Sequence, residues 1–174
     1  MFSENSLAMQ GHLHIQRFDR QGHLIETVAA DNAIVFSGRD LVARMFFNKD
    51  IDRIGFLAVG TGDQAVDPDE DVKLQEEVFR TSLKEININD DLKEKKLEDS
   101  PANNQRRRGL NLSADLDFKE PNLSENDGKP YVLREAGLFN HKTRNEGIMY
   151  NRVVFPAITK TNDFKLTLVW DIIF

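Results

Sequence analysis

The sequence contains no cysteine, which excludes disulfides, thiolate zinc sites and cysteine nucleophiles together and fits folding in a reducing cytoplasm. It also lacks any run of about 18 uninterrupted apolar residues, so no membrane-spanning helix is expected. The opening MFSENSLAMQGH has neither the basic start nor the apolar stretch of an export signal. A soluble chain without membrane contact is the expectation. Net charge is −6, and because nucleic-acid affinity rests on Lys and Arg displacing counterions, broad phosphate binding is not expected. The exception to weigh is Arg106-Arg107-Arg108. Aromatic platforms for carbohydrate are scarce, since the single tryptophan, Trp170, falls on the apolar side of a strand pattern and is assigned to the core.

What is present is the material of one domain. A compact chain of 174 residues buries roughly 70% of the surface it exposes when unfolded, enough to fold without staples. The C-terminal third is the most strand-like, with Tyr131 to Phe139, Ile148 to Lys160 and Phe164 to Phe174 separated by polar turns. In the last of these, Phe164, Leu166, Leu168, Trp170, Ile172 and Phe174 share one face, and at about 1.5–3 kcal/mol each their burial contributes on the order of 10 kcal/mol. That strand should be central.

Earlier segments read similarly. His12 to Asp19 alternates, and Asp19-Arg20-Gln21-Gly22 has the form of a type I turn followed by a left-handed glycine, so a hairpin is predicted with Asp19 opposite His23. That register puts Leu13, Ile15, Ile25 and Ala29 on a shared apolar face. Ser37-Gly-Arg-Asp40 has the form of a capping box ahead of Leu41, Val42, Met45 and Phe46, predicting one short peripheral helix. Ile54 to Val59 is an apolar run of strand length that ends at Gly60-Thr61-Gly62 and an acidic loop through Asp71. Ile86 and Ile88, and later Leu110 to Phe118, alternate as half-buried strands. Residues 90–108 are too polar to supply a core and read as a long exposed charged loop. With no fixed-period repeat, these elements predict a single, mainly β domain over residues 1–174, an antiparallel β-sandwich-like fold.

Candidate chemistry fails at specific positions. His12-x-His14 puts two imidazoles on one side of a strand, but His23 would lie roughly 15 Å away at about 3.3 Å per residue, and no acidic residue follows at cupin spacing. Gly60-x-Gly62 lacks both the third glycine of a dinucleotide fingerprint and the Lys-Ser/Thr of a P-loop, and Asp63, Asp67, Asp69, Glu70 and Asp71 would repel phosphate. Asp67-x-Asp69-x-Asp71 begins like an EF-hand loop, yet Val72 stands where the glycine belongs and Val78 where the closing glutamate belongs. Neither G-x-S-x-G nor H-E-x-x-H occurs. No catalytic residue, metal site or cofactor is assigned. Arg106, Arg107 and Arg108 remain candidates for an interface with an acidic neighbour, because Arg pairs carboxylates in bidentate fashion; a solvated strand entrance is the alternative.

An ordered set of motifs remains: Ala58-Val-Gly-Thr-Gly62, Leu74-x-x-Glu77-x-x-Arg80, Arg134-Glu-Ala-Gly-Leu-Phe139, Met149-Tyr-Asn-Arg-Val153 and Leu166-Thr-Leu-Val-Trp-Asp-Ile-Ile-Phe174. From Ile54 onward the chain resembles small virion structural proteins of tailed bacteriophages and phage-tail-like particles, of the tail, tail-fibre or baseplate type. The resemblance implies a non-enzymatic subunit made in the host bacterial cytoplasm and carried in the virion, near the tail. Its partners would be copies of itself and neighbouring structural proteins. A surface-recognition module, receptor-binding or decorating, that takes a host glycan or protein is the alternative. Glu77, Arg80, Glu135 and Arg152 are charges set among apolar neighbours, and a buried charge needs a partner; they are expected to form structural ion pairs.

Overall fold

Alternation at period two places every second side chain on one face of a strand, and covering that face is what draws such segments into a sheet. In the computed structural model, which describes residues 9–95 and 107–174, the elements run β1 (Gln10–Phe18), β2 (Leu24–Ile34), α1 (Phe36–Met45), β3 (Phe56–Gly60), β4 (Glu77–Ser82), α2 (Ile88–Asp91), β5 (Leu92–Lys95), β6 (Arg107–Leu116), β7 (Tyr131–Phe139), β8 (Met149–Lys160) and β9 (Lys165–Ile173). The strands form one antiparallel sheet in the order β4-β3-β7-β8-β2-β1-β9-β6-β5.

β9 sits between β1 and β6, with Trp170 opposite Leu13 on one side and Leu112 on the other, and Leu168 opposite Ile15 and Ala114. These rows form half of the core. β7 plays the same part in the other half, with Ala136 between Val59 and Val153. In the strand ladder the two halves are joined through β2, whose body pairs with β1 and whose end, Ala33 and Ile34, pairs with β8. Because the sheet curls into a half-barrel, both sets of side chains join one apolar cluster. The main-chain N–H of Lys84, just beyond β4, reaches the Ser113 carbonyl of β6 at 2.7 Å. The mainly β, antiparallel expectation holds; the hydrogen-bonded order is that of one curled sheet.

Several local expectations are corrected. The hairpin turn forms, with Gly22 at φ +86° and its N–H donating to Asp19 O. An extra residue in β2 at Ile25 then shifts the register, so that Leu13 and Ile15 face Ala30 and Val28. One inserted residue exchanges the faces, and Ile25 and Ala29 point to solvent. The helix is capped at Val35 without a side-chain bond, and Ser37 Oγ donates to the Met149 carbonyl of β8 instead. The β8 backbone thus outcompetes the capping box for that hydroxyl. Ile86 and Ile88 are exposed, and Asn87 caps the single turn of α2 by accepting from Asn89 N–H. An Asx cap overrides two residues of alternation. Residues 90–108 are not one loop: β5 pairs with Arg107 to Leu110 of β6 at the sheet edge. Phe174 is 45% exposed, so the apolar face of the last strand is five residues long rather than six. β4 has no counterpart among the predicted strands.

The outer face of the β3–β7–β8 half is also covered. Leu74 and Val66, from the segment between β3 and β4, pack there with Val35, Ala58, Phe139 and Met149 in a second, smaller cluster. That cover positions the buried charges.

Candidate functional site

All four charged residues of the motifs are on strands of this half, with Glu77 and Arg80 on β4, Glu135 on β7 and Arg152 on β8. Glu135 is 0% exposed. Its Oε1 accepts from the backbone N–H of Gly62 at 3.2 Å and of Glu76 at 2.7 Å. Its Oε2 accepts from Gln75 N–H at 3.0 Å and from Arg152 Nε at 2.9 Å. A carboxylate has about four lone-pair sites, and all four have donors. The remaining guanidinium nitrogens of Arg152 donate to Asp71 Oδ2 at 2.8 Å and to the Gln64 carbonyl at 3.1 Å. Burial pulls the Arg152 pKa down, but the Asp71 and Glu135 carboxylates outweigh it and hold it above the ordinary value.

The glycines of the motifs make room for this pair. A methyl on Gly60 would meet the Glu76 carbonyl and lie 2.5 Å from Glu135 Oε1, and one on Gly62 would lie 2.6 Å from the same oxygen. Gly137 stands directly opposite Arg152 in the ladder and lets the neighbouring β8 backbone and Leu74 pack closely. A methyl there would come 2.8 Å from the Asn151 carbonyl. The Gly60-x-Gly62 turn and Glu135 of β7 are thus one device. It fastens both ends of the acidic segment 61–76 to the sheet.

A second clamp holds the β7–β8 connection. Arg80 donates Nε and Nη2 to the two carboxylate oxygens of Glu77 at 2.8 and 2.7 Å. Its Nη1 donates to the carbonyls of His141 and Glu146 at 2.8 and 2.9 Å. The guanidinium stacks 3.9 Å from the centre of the Phe139 ring, and both charged side chains are almost fully covered. Arg144 adds a bond back to the Glu77 carbonyl. The bidentate geometry is the kind Lys cannot reproduce.

The acidic loop closes on itself and on nearby arginines. Asp67 Oδ1 accepts from Asp69 and Glu70 N–H, and Asp71 Oδ2 from Asp67 N–H. Asp63 pairs with Arg134 and Asp69 with Arg39. His12 lies 2.6 Å from Asp31 and His23 3.1 Å from Asp19, while His14 is exposed opposite Ala29. Among the described residues no three His, Asp or Glu converge as a metal site. Of the arginine run, Arg106 lies outside the described residues; Arg107 is only 5% exposed at the start of β6, and Arg108 is exposed.

One buried charge escaped the sequence reading. Lys160 closes β8 with 1% exposure, and its Nζ donates to the carbonyls of Thr161 at 2.8 Å and Phe118 at 3.2 Å. Burial pulls its pKa down to about 8, against the opposing pull of Asp117, Glu120 and Asp163. A lone lysine at a strand end gives no sequence signal, because the carbonyls that hold it come from backbone folded against it.

No family model, curated protein or solved structure matches the chain.

Proposed function

We propose that the chain is a non-enzymatic structural subunit of a tailed phage or phage-tail-like particle, associated with the tail, baseplate or fibre attachment, and acting by contact with copies of itself and neighbouring subunits. On this reading it is made in the host bacterial cytoplasm and ends in the virion. The curled sheet would serve as a rigid, sandwich-like body, and the clamped loops would be its presented surface.

The observation that carries the reading is the saturation of Glu135 by four donors, three of them backbone amides. A general acid or base must keep a lone pair or proton for substrate. Glu135 spends three acceptors on amides of the 61–76 segment and the fourth on Arg152, and Arg80 likewise spends its donors on Glu77 and on the 140–147 connection. Charges used this way fix shape.

The test is localisation. A tag on an exposed residue, detected on purified intact particles, is expected at the tail region, and absence of the chain from such particles would overturn the proposal. A second reading, recognition of a host glycan or protein, draws on one feature. A cleft of about 490 Å³ lined by Arg53, Phe56, Ser82, His141 and Lys142 lies beside the clamped connection. Glycan-array binding lost on substituting Arg53 and Lys142 would favour it.

A further inference from the structure

Among the described residues, three exposed phenylalanines lie on α1 or on the turn that continues it. Phe46 is 89% exposed, Phe47 80% and Phe36 62%, although α1 buries its other face through Gly38 and Leu41. A methyl on Gly38 would run into the Tyr150 carbonyl of β8, so the inner face is pressed against the sheet and cannot rotate outward. The helical turn continues past Met45, with Phe47 and Asn48 N–H both donating to the Arg44 carbonyl. At about 100° per residue, positions 36, 40, 43 and 47 therefore form one outward stripe. It reads Phe36, Asp40, Ala43, Phe47.

We propose that this stripe is a self-association surface, on which two copies of the chain pair their α1 helices antiparallel about a two-fold axis. The inference rests on the self-association part of the proposed function and names its surface. Two properties point to a second copy as the occupant. One is area: at about 150–250 Å² per aromatic side chain, Phe36 and Phe47 expose roughly 210–360 Å² on the stripe, and Phe46, about 80° round the helix at its edge, brings the patch to roughly 350–580 Å². That matches the largest patches monomers carry and is about half of the roughly 800 Å² that each partner gives a stable interface.

The other property is charge. Aligning two helices antiparallel with Phe36 opposite Phe47 also sets Asp40 of one copy opposite Ala43, and beside Arg44, of the other. Asp40 and Arg44 already pair within one copy at 2.7 Å and are partly exposed, so the two-fold completes an alternating square of two carboxylates and two guanidinium groups. The small Ala43 side chain allows close approach at the crossing. Asp40 on the stripe and Arg44 beside it are of opposite sign, which favours neither an acidic nor a basic partner but complements itself under a two-fold, as an isologous interface requires.

Sedimentation equilibrium of the full chain across concentration tests this. Wild type is expected to reach twice the monomer mass. Phe47→Asp should raise the dimer dissociation constant at least about 30-fold, as loss of an aromatic hot spot does, with Trp170 emission unchanged and the unfolding midpoint unchanged at concentrations where wild type is monomeric, because the side chain points away from the core. Asp40→Arg and Arg44→Asp should each weaken dimerisation alone, and a 1:1 mixture of the two variants should restore it as a heterodimer. Wild-type association retained in Phe47→Asp would overturn this surface while leaving self-association standing. A wild type that stays monomeric at millimolar concentration would overturn both. Failure of the mixed variants to pair would overturn the antiparallel two-fold.

Discussion

Replacing Glu135 by glutamine changes almost nothing in shape and a great deal in hydrogen bonding. Each oxygen of the carboxylate faces two donors, Gly62 and Glu76 N–H at one, Gln75 N–H and Arg152 Nε at the other. A glutamine amide has an acceptor at one end only, so in either orientation its NH2 meets two donors. Removing one partner of a buried ion pair costs about 3–5 kcal/mol, and each stranded donor about 1–3 kcal/mol. Because Arg152 belongs to both counts and keeps Asp71, the expected loss is about 4–6 kcal/mol. At about 2–4 °C per kcal/mol for a chain of this size, the melting temperature should fall by roughly 10–20 °C. Leucine should not rescue, since three of the stranded donors are main-chain groups that no substitution removes. Urea unfolding followed by the emission of Trp170, the single tryptophan and fully buried, measures the stability. Hydrogen exchange measures the amides: Gly62, Gln75 and Glu76 should be protected in the wild type and exposed in Glu135→Gln. A loss below about 1 kcal/mol, with those amides still protected, would refute the reasoning.

Lys160 predicts a pH dependence. Its folded pKa of about 8 lies below the ordinary 10.5, so between those values the unfolded chain binds the extra proton and stability rises with pH, by up to about 3 kcal/mol. Above pH 10 the opposite effect of Tyr150, raised to about 12 by burial, sets in. Urea titrations between about pH 7 and pH 9.5 should therefore show a rise that Lys160→Met abolishes. Gly38→Ala forces a methyl onto the Tyr150 carbonyl and should cost about 1–3 kcal/mol despite alanine's better helix propensity; thermal melting that shows stabilisation instead would contradict the packing of α1. Arg80→Lys loses the bidentate contact with Glu77 and the bonds to His141 and Glu146. Limited proteolysis should then cut within 140–147 faster than in the wild type.

The strands that the sequence reveals are those whose period repeats over four or more residues. β6 and β9 follow their alternation closely, because each has enough apolar positions on one face to require burial, and β7 and β8 fall within the apolar stretches Tyr131 to Phe139 and Ile148 to Lys160. β4 was not legible: Glu77-Val-Phe-Arg-Thr-Ser puts charges where an edge strand is expected to be polar, and its ion pair forms only when the 140–147 connection closes over it. β5 failed for a related reason, since Leu92-Lys-Glu-Lys95 reads as loop until β6 offers it a backbone ladder. In the hairpin a single inserted residue moved Ile25 and Ala29 to solvent, and nothing in the local pattern distinguishes the two registers. Glu77, Arg80, Glu135 and Arg152 were recognisable as charges out of place, since a charge among apolar neighbours needs a partner wherever it lies.

By itself, the absence of cysteine settled that no disulfide or thiolate site holds this protein together, and the alternation of the C-terminal third settled that it is mainly β with Trp170 inside. Those properties depend on residue type and on spacing along the chain. Pairing does not: which carboxylate meets Arg152, that Glu135 gathers three backbone amides from a segment 59 to 73 residues away, and that Phe46 and Phe47 stay outside while Leu41 goes in were decided by the curl of the sheet and the docking of α1 on β8. Such contacts join positions far apart in sequence, and only the closed fold brings them within bonding distance.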